Sequence, residues 1–252
     1  MRYILAFTII LFMTSCKREN STDLSNYFTY DQNNPESAGV KMIPIKTPIG
    51  EFKVWTKRFG NNPKIKILLL HGGPAMTHEY MECFETFFQR EGFEFYEYDQ
   101  LGSYYSDQPK DSSLWTIDRF VDEVEQVRKA INANKENFYV LGNSWGGILA
   151  MEYALKYQQN MKGLLVSNMM ASAPEYGKYA DEVLAKQMEP KILAEIRALE
   201  AKKDFGNPRY MELLLPNFYK KTFMSIKRMA RRIKSCQQTC KWENLYLNAR
   251  PK

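Results

Sequence analysis

The sequence predicts an α/β fold built on a doubly wound, mostly parallel sheet. Short apolar runs alternate with segments of helical periodicity, the pattern of parallel strands joined by crossover helices. One run, residues 138–141, leads directly into Gly142-Asn143-Ser144-Trp145-Gly146, and residues 147–157 then carry apolar side chains at helical spacing. Strand, G-x-S-x-G turn and helix in that order are the context of a nucleophile elbow. The flanking glycines fit a turn too tight for side chains, which would present the Ser144 hydroxyl to a cleft. A serine needs a positioned base to act as a nucleophile, normally a histidine held by a carboxylate.

The first sixteen of the 252 residues read as a targeting segment. Arg2 gives a positive start, and residues 4–13 form an apolar run too short to span a bilayer. Met13-Thr14-Ser15-Cys16 follows, with small residues directly before a cysteine. This resembles a bacterial lipoprotein signal. The resemblance implies lipidation of Cys16 and a protein anchored in the cell envelope, facing the periplasm or the exterior. An ordinary secretory signal with an incidental cysteine is the alternative. Residues 17–36, rich in Asn, Ser and Asp, read as a polar tether.

The body, residues 37–170, reads strand by strand. Residues 41–47 and 51–57 form a hairpin about Pro48-Ile49-Gly50, with alternating apolar positions on either side. Residues 65–70 form a continuous apolar run, as expected of a strand covered on both faces. Residues 93–98, 138–141 and 164–166 are further strands. Ile117, Phe120, Val121, Val124, Val127 and Ile131 recur at three- and four-residue steps, an amphipathic helix with one buried stripe. Residues 174–203 are helical in pattern and charged, and Gly206-Asn207-Pro208 breaks them.

Charge narrows the partners. The net charge of +6 is uneven: from Lys220 onward ten Lys or Arg face a single acid, which leaves 25 basic and 28 acidic residues before it. The body is mildly acidic and the basic character belongs to the tail, so a nucleic-acid partner for the whole chain is not indicated. Cys83, Cys236 and Cys240 are too few and scattered for a disulfide framework. The Cys236/Cys240 pair lacks the companions of a metal site.

Two loops at strand ends carry chemistry. His71-Gly72-Gly73-Pro74 follows the 65–70 run, and paired glycines let backbone N–H groups approach a ligand. Gly73 is the candidate for one oxyanion-hole donor and Trp145, next after Ser144, for the other. His71 sits in the loop that shapes the hole and reads as bonded to nearby backbone, while His78 reads as a loop or helix-start residue. Asp99-Gln100-Leu101-Gly102-Ser103, with Ser106-Asp107-Gln108-Pro109, reads as a polar turn.

HGGPAMTHEY (71–80), YDQLGSYYSDQP (98–109), WTID (115–118) and GNSWGG (142–147) together resemble the proline iminopeptidases, over roughly residues 41–223. The resemblance implies an α/β-hydrolase fold, a Ser144 nucleophile, oxyanion donors at Gly73 and Trp145, and no metal or organic cofactor. It also implies peptide substrates with a free N-terminus, often proline, whose amine is held by acids of a helical cap over residues 171–223. Glu175, Glu182 and Glu212 are the candidates. Ala75 stands where the family commonly has glycine and Leu101 where it commonly has arginine, and both are expected to reshape the substrate pocket.

The family's triad aspartate and histidine lie beyond the cap, and neither is found here. Both histidines precede Ser144, and the last aspartate is Asp204. Residues 224–252 form a basic tail with no strand run, so the C-terminal strands are expected to be missing from a truncated or frameshifted product of low activity. An esterase sharing only the elbow and hole, or a non-catalytic fragment, are the competing readings.

Overall fold

The structure, a computed structural model, describes residues 25–34 and 36–219. The expected signal with Cys16, and the tail with Cys236 and Cys240, lie outside the described residues.

Six strands form one mixed sheet: β1 (Val40–Thr47), β2 (Gly50–Phe59), β3 (Lys66–Leu70), β4 (Glu94–Tyr98), β5 (Phe138–Asn143) and β6 (Gly163–Ser167). Their order is β1-β2-β4-β3-β5-β6; β1–β2 and β2–β4 pair antiparallel, and β4–β3, β3–β5 and β5–β6 pair parallel. The hairpin closes through Pro48 and Ile49, with Thr47 opposite Gly50.

The parallel strands are apolar throughout because both their faces are covered. Leu68 and Leu70 face the larger core, made with Phe120, Val121, Val124 and Val127 of helix α3 (Ile117–Ala130) and Leu149, Ala150 and Tyr153 of α4 (Trp145–Tyr157). Ile67 and Leu69 face the opposite way, onto Phe95, Met81 and the aromatic residues Phe84 and Phe88 of α2 (Cys83–Arg90). Alternation of side chains along one strand thus feeds two cores.

Several expectations are refined. The α3 stripe excludes Ile117, which is 41% exposed, because Ile117 opens the helix just after its cap, Thr116. Leu101, expected to shape a substrate pocket, is buried in the larger core. Part of the stretch read as a tether is folded onto the body: Ser25–Phe28 is helical (α1), and Arg58 lies 5.1 Å from the Tyr27 ring.

The helical run over residues 174–203 is also divided. Helix α5 (Ala173–Tyr179) continues through a wide turn at Ala180–Leu184 and a tight one at Ala185–Gln187, then stops at Met188. Helix α6 (Pro190–Ala201) starts afresh because Pro190 cannot continue a helix but suits a first turn. The Glu189 carboxylate accepts from Lys191 N and Ile192 N and caps it. Helix α7 (Pro208–Leu214) follows, and Ile196 and Leu213 anchor a small α6–α7 cluster of their own.

Candidate active site

Ser144 lies between β5 and α4 with φ 53° and ψ −121°, a conformation that L-residues adopt only when their surroundings impose it. The surroundings here are backbone. A methyl on Gly142 would sit 2.1 Å from the Gly146 carbonyl oxygen, and one on Gly146 would sit 2.0 Å from that of Leu70. Neither position accepts a side chain, so the elbow turns against the end of β3. Ser144 N–H donates to Ser167 O at 3.1 Å, which ties the turn to β6. Trp145 is the first residue of α4, where the first amides have no partner within the helix and favour negative charge.

The His71–Pro74 loop runs beside the elbow. A methyl on Gly72 would lie 3.0 Å from Ser144 Cβ and 3.2 Å from the Tyr80 hydroxyl. Gly73 has φ 120° and precedes a cis proline; Ala75 has φ 64°, in the left-handed region where glycine is at ease. An alanine here therefore holds a backbone conformation better suited to glycine.

Both histidines are committed elsewhere. His71 is fully buried: its Nε2 accepts from Gln100 N–H at 3.0 Å, so Nδ1 carries the proton and donates to Gly72 O at 2.8 Å. Burial holds its pKa below the ordinary value, against the pull of Asp99. His78 binds Asp99 Oδ1 twice, through its backbone N–H and its Nδ1, each at 2.9 Å, and stacks on Trp55 at 4.2 Å. Burial opposes a charge on His78, but Asp99, Glu97 and Glu82 outweigh it and raise the pKa. Among the described residues neither histidine hydrogen-bonds Ser144.

The loop read as a polar turn proves to be a junction, which its sequence alone did not indicate. Gln100 Nε2 donates to His71 O at 3.0 Å, and its Oε1 accepts from the Trp145 indole N–H at 2.9 Å. Gln100 therefore links the His71–Pro74 loop to helix α4. Asp99 gathers His78 and, through Oδ2, the Tyr105 N–H, while Ser106 Oγ donates to Asp99 O at 2.6 Å. Tyr80, the last residue of the 71–80 motif but given no role by it, bonds both the Gly72 backbone and the Asn143 side chain. The three candidate cap acids are exposed, and Glu212 is paired with Arg209 at 3.5 Å. Among the described residues no group of His, Cys, Asp and Glu is placed to hold a metal ion.

The sequence pattern of the alpha/beta hydrolase fold matches residues 66–189. A proline iminopeptidase of Flavobacterium johnsoniae is 94% identical over 179 residues, which cover 71% of this chain and 60% of that protein. One of Elizabethkingia meningoseptica is 82% identical over 186 residues, covering 74% of this chain and 62% of that protein. The crystal structure of a proline iminopeptidase from Mycobacterium smegmatis superposes with a TM-score of 0.65 at 25% identity, over 81% of this chain and 69% of that one. The chain thus spans about three fifths of the length of the curated relatives it matches.

Proposed function

The chain has the alpha/beta hydrolase fold, and from that premise we propose that it carries the nucleophile half of a serine aminopeptidase that releases N-terminal residues, preferentially proline, from peptides. The observation that carries this reading is Ser144, held at φ 53° in a turn without room for a Cβ on either side and set against the Gly72–Gly73 backbone. In this reading Ser144 Oγ attacks the carbonyl of the N-terminal residue, and the N–H groups of Gly73 and Trp145 receive the developing oxyanion. Such a donor is typically worth about 10²–10³ in kcat. Cap acids, with Glu175, Glu182 and Glu212 as candidates, would hold the free amine.

Turnover by this chain alone is expected to be low. The two histidines of the sequence are engaged with Gly72 and Gln100, and with Asp99, so Ser144 has no imidazole to take its proton. Loss of the base in a serine protease lowers kcat by roughly 10⁶. The expected outcome is that the 252-residue chain releases p-nitroaniline from proline p-nitroanilide no faster than Ser144→Ala. Fusion to the segments of the F. johnsoniae relative that this chain does not span should restore cleavage. An N-acetylated substrate cleaved as fast by the fusion as the free amine would rule out an aminopeptidase in favour of a less selective hydrolase. Robust turnover by the unfused chain would instead require His71 or His78 as base.

Envelope anchoring through Cys16 belongs to the same reading and rests on the Thr14-Ser15-Cys16 sequence. A lipoprotein's several acyl chains hold firmly where a single chain binds marginally. Cys16→Ala should move the protein from the membrane fraction to the soluble one, and unchanged partitioning would refute the anchor.

A further inference from the structure

We propose that Tyr80 is a positioning residue for the Ser144 reaction, its hydroxyl setting the nucleophile and the oxyanion loop at their working separation; the proposal rests on the hydrolase reading above. The Gly72 N–H donates to the Tyr80 hydroxyl oxygen at 2.6 Å, and that hydroxyl donates to Asn143 Oδ1 at 3.0 Å. Gly72 immediately precedes Gly73, and Asn143 immediately precedes Ser144. One oxygen therefore bridges the residues directly upstream of an oxyanion donor and of the nucleophile. The gap it closes is narrow, since a methyl on Gly72 would lie within about 3 Å of both Ser144 Cβ and the Tyr80 oxygen.

The bridge is anchored at each end. Tyr80 belongs to a single tight turn, His78–Met81, whose first residue is bound twice to Asp99 and whose last is buried in the smaller core. Asn143 is oriented from its other side, with Nδ2 3.4 Å from Ser167 O, the carbonyl that also accepts the Ser144 N–H. Asn143 Oδ1 consequently faces Tyr80. The hydroxyl thus donates to one side of the bridge and accepts from the other. Phenylalanine at position 80 would keep the ring but leave Gly72 N–H and Asn143 Oδ1 without the group that joins them. Positioning is catalytically sensitive because a displacement of about 1 Å at reacting groups costs on the order of 10²-fold in rate.

The test uses the full chain and slow modification of Ser144 by excess fluorophosphonate, followed by intact mass, with Ser144→Ala as the blank. Tyr80→Phe should lower the modification rate about 10-fold, as expected for one lost hydrogen bond at a reacting geometry. Its thermal midpoint should change little. Asn143→Ala removes the same bridge from the other end and supplies a second reading should Tyr80→Phe fold poorly. The double variant should be no slower than the slower single one, a non-additivity that two separate structural defects would not give. Equal rates for Tyr80→Phe and the unaltered chain, or losses that multiply in the double variant, would overturn the positioning role while leaving the hydrolase reading intact. Where the unaltered chain reacts no faster than Ser144→Ala, as an unactivated serine would, the same comparison is read in the fusion to the F. johnsoniae segments, and a folded fusion without Ser144-dependent modification would overturn the hydrolase reading and the proposal with it.

Discussion

Glu97 shows how far one residue can set the pH behaviour of this fold. It lies on β4 with no exposure, both carboxylate oxygens are without a hydrogen-bond partner among the described residues, and its pKa is pushed up to about 7. Burial is the chief cause, eased by His78 and Lys57 and reinforced by Glu85 and Glu82. A carboxyl raised in the folded state binds its proton more tightly there than in the unfolded chain. Its contribution to stability is therefore full below the ordinary pKa of 4.5 and is lost as pH rises through about 7. His78, also raised, loses its contribution in the same direction, from the ordinary 6.5 upward. Stability should thus fall between pH 5 and pH 8. Glu97→Gln should remove about 2 kcal/mol of that fall, matching the unaltered chain at pH 5 and exceeding it at pH 8. Denaturant midpoints at the two pH values check this, and an offset equal at both would acquit Glu97.

Helix α3 is the element whose start the sequence marks most clearly. Thr116 Oγ1 accepts from Arg119 N at 3.4 Å, and Asp118 occupies the first turn, where negative charge is favoured. Arg119 then turns inward. Its Nε donates to Leu114 O at 2.7 Å, its guanidinium pairs with buried Glu123, and it lies over the Phe120 ring at 3.7 Å. Glu123 in turn accepts from Leu101 N at 3.0 Å and from the Tyr98 hydroxyl. This one helix therefore supports the strand end that leads into the Asp99–Gln100 junction. Thr116→Ala should cost about 1 kcal/mol, read as a lower denaturant midpoint. Arg119→Leu should cost more, because it leaves the Glu123 charge buried without its cation, with about 3–5 kcal/mol typical of such a loss.

At the scale of the molecule, the described sheet ends on a strand that is exposed on both faces. Leu164, Leu165 and Val166 of β6 are 40%, 42% and 46% exposed, whereas the corresponding stretches of β3, β4 and β5 are largely buried. Three consecutive apolar residues on an edge that no described strand pairs with are a template for pairing with another chain. Leu165→Lys should lower light scattering on concentration or heating while shifting stability by less than about 1 kcal/mol, in the manner of edge charges in natural sheets. Scattering unchanged by the lysine would show that association proceeds through some other surface.

The sequence by itself determined the parallel strands, the two helices that flank the larger core, and the tight turn at Ser144, because each is encoded locally. Apolar runs, three- and four-residue spacing and a glycine on either side of Ser144 dictate backbone conformation within a few neighbours. It also identified Gly73 and Trp145 as candidates, through their places in a loop and at a helix start. Tertiary structure alone decided what surrounds them. Asp99, Gln100 and Tyr80 act through hydrogen bonds that reach across as many as 63 residues of chain, and no periodicity or spacing records such a bond. The burial of Leu101 and Glu97 followed from strand order, and the inward turn of Arg119 from the carboxylate awaiting it. Local sequence fixes where the chain bends; which side chains then meet depends on how distant segments pack, because a hydrogen bond or a buried charge is satisfied by whatever group arrives.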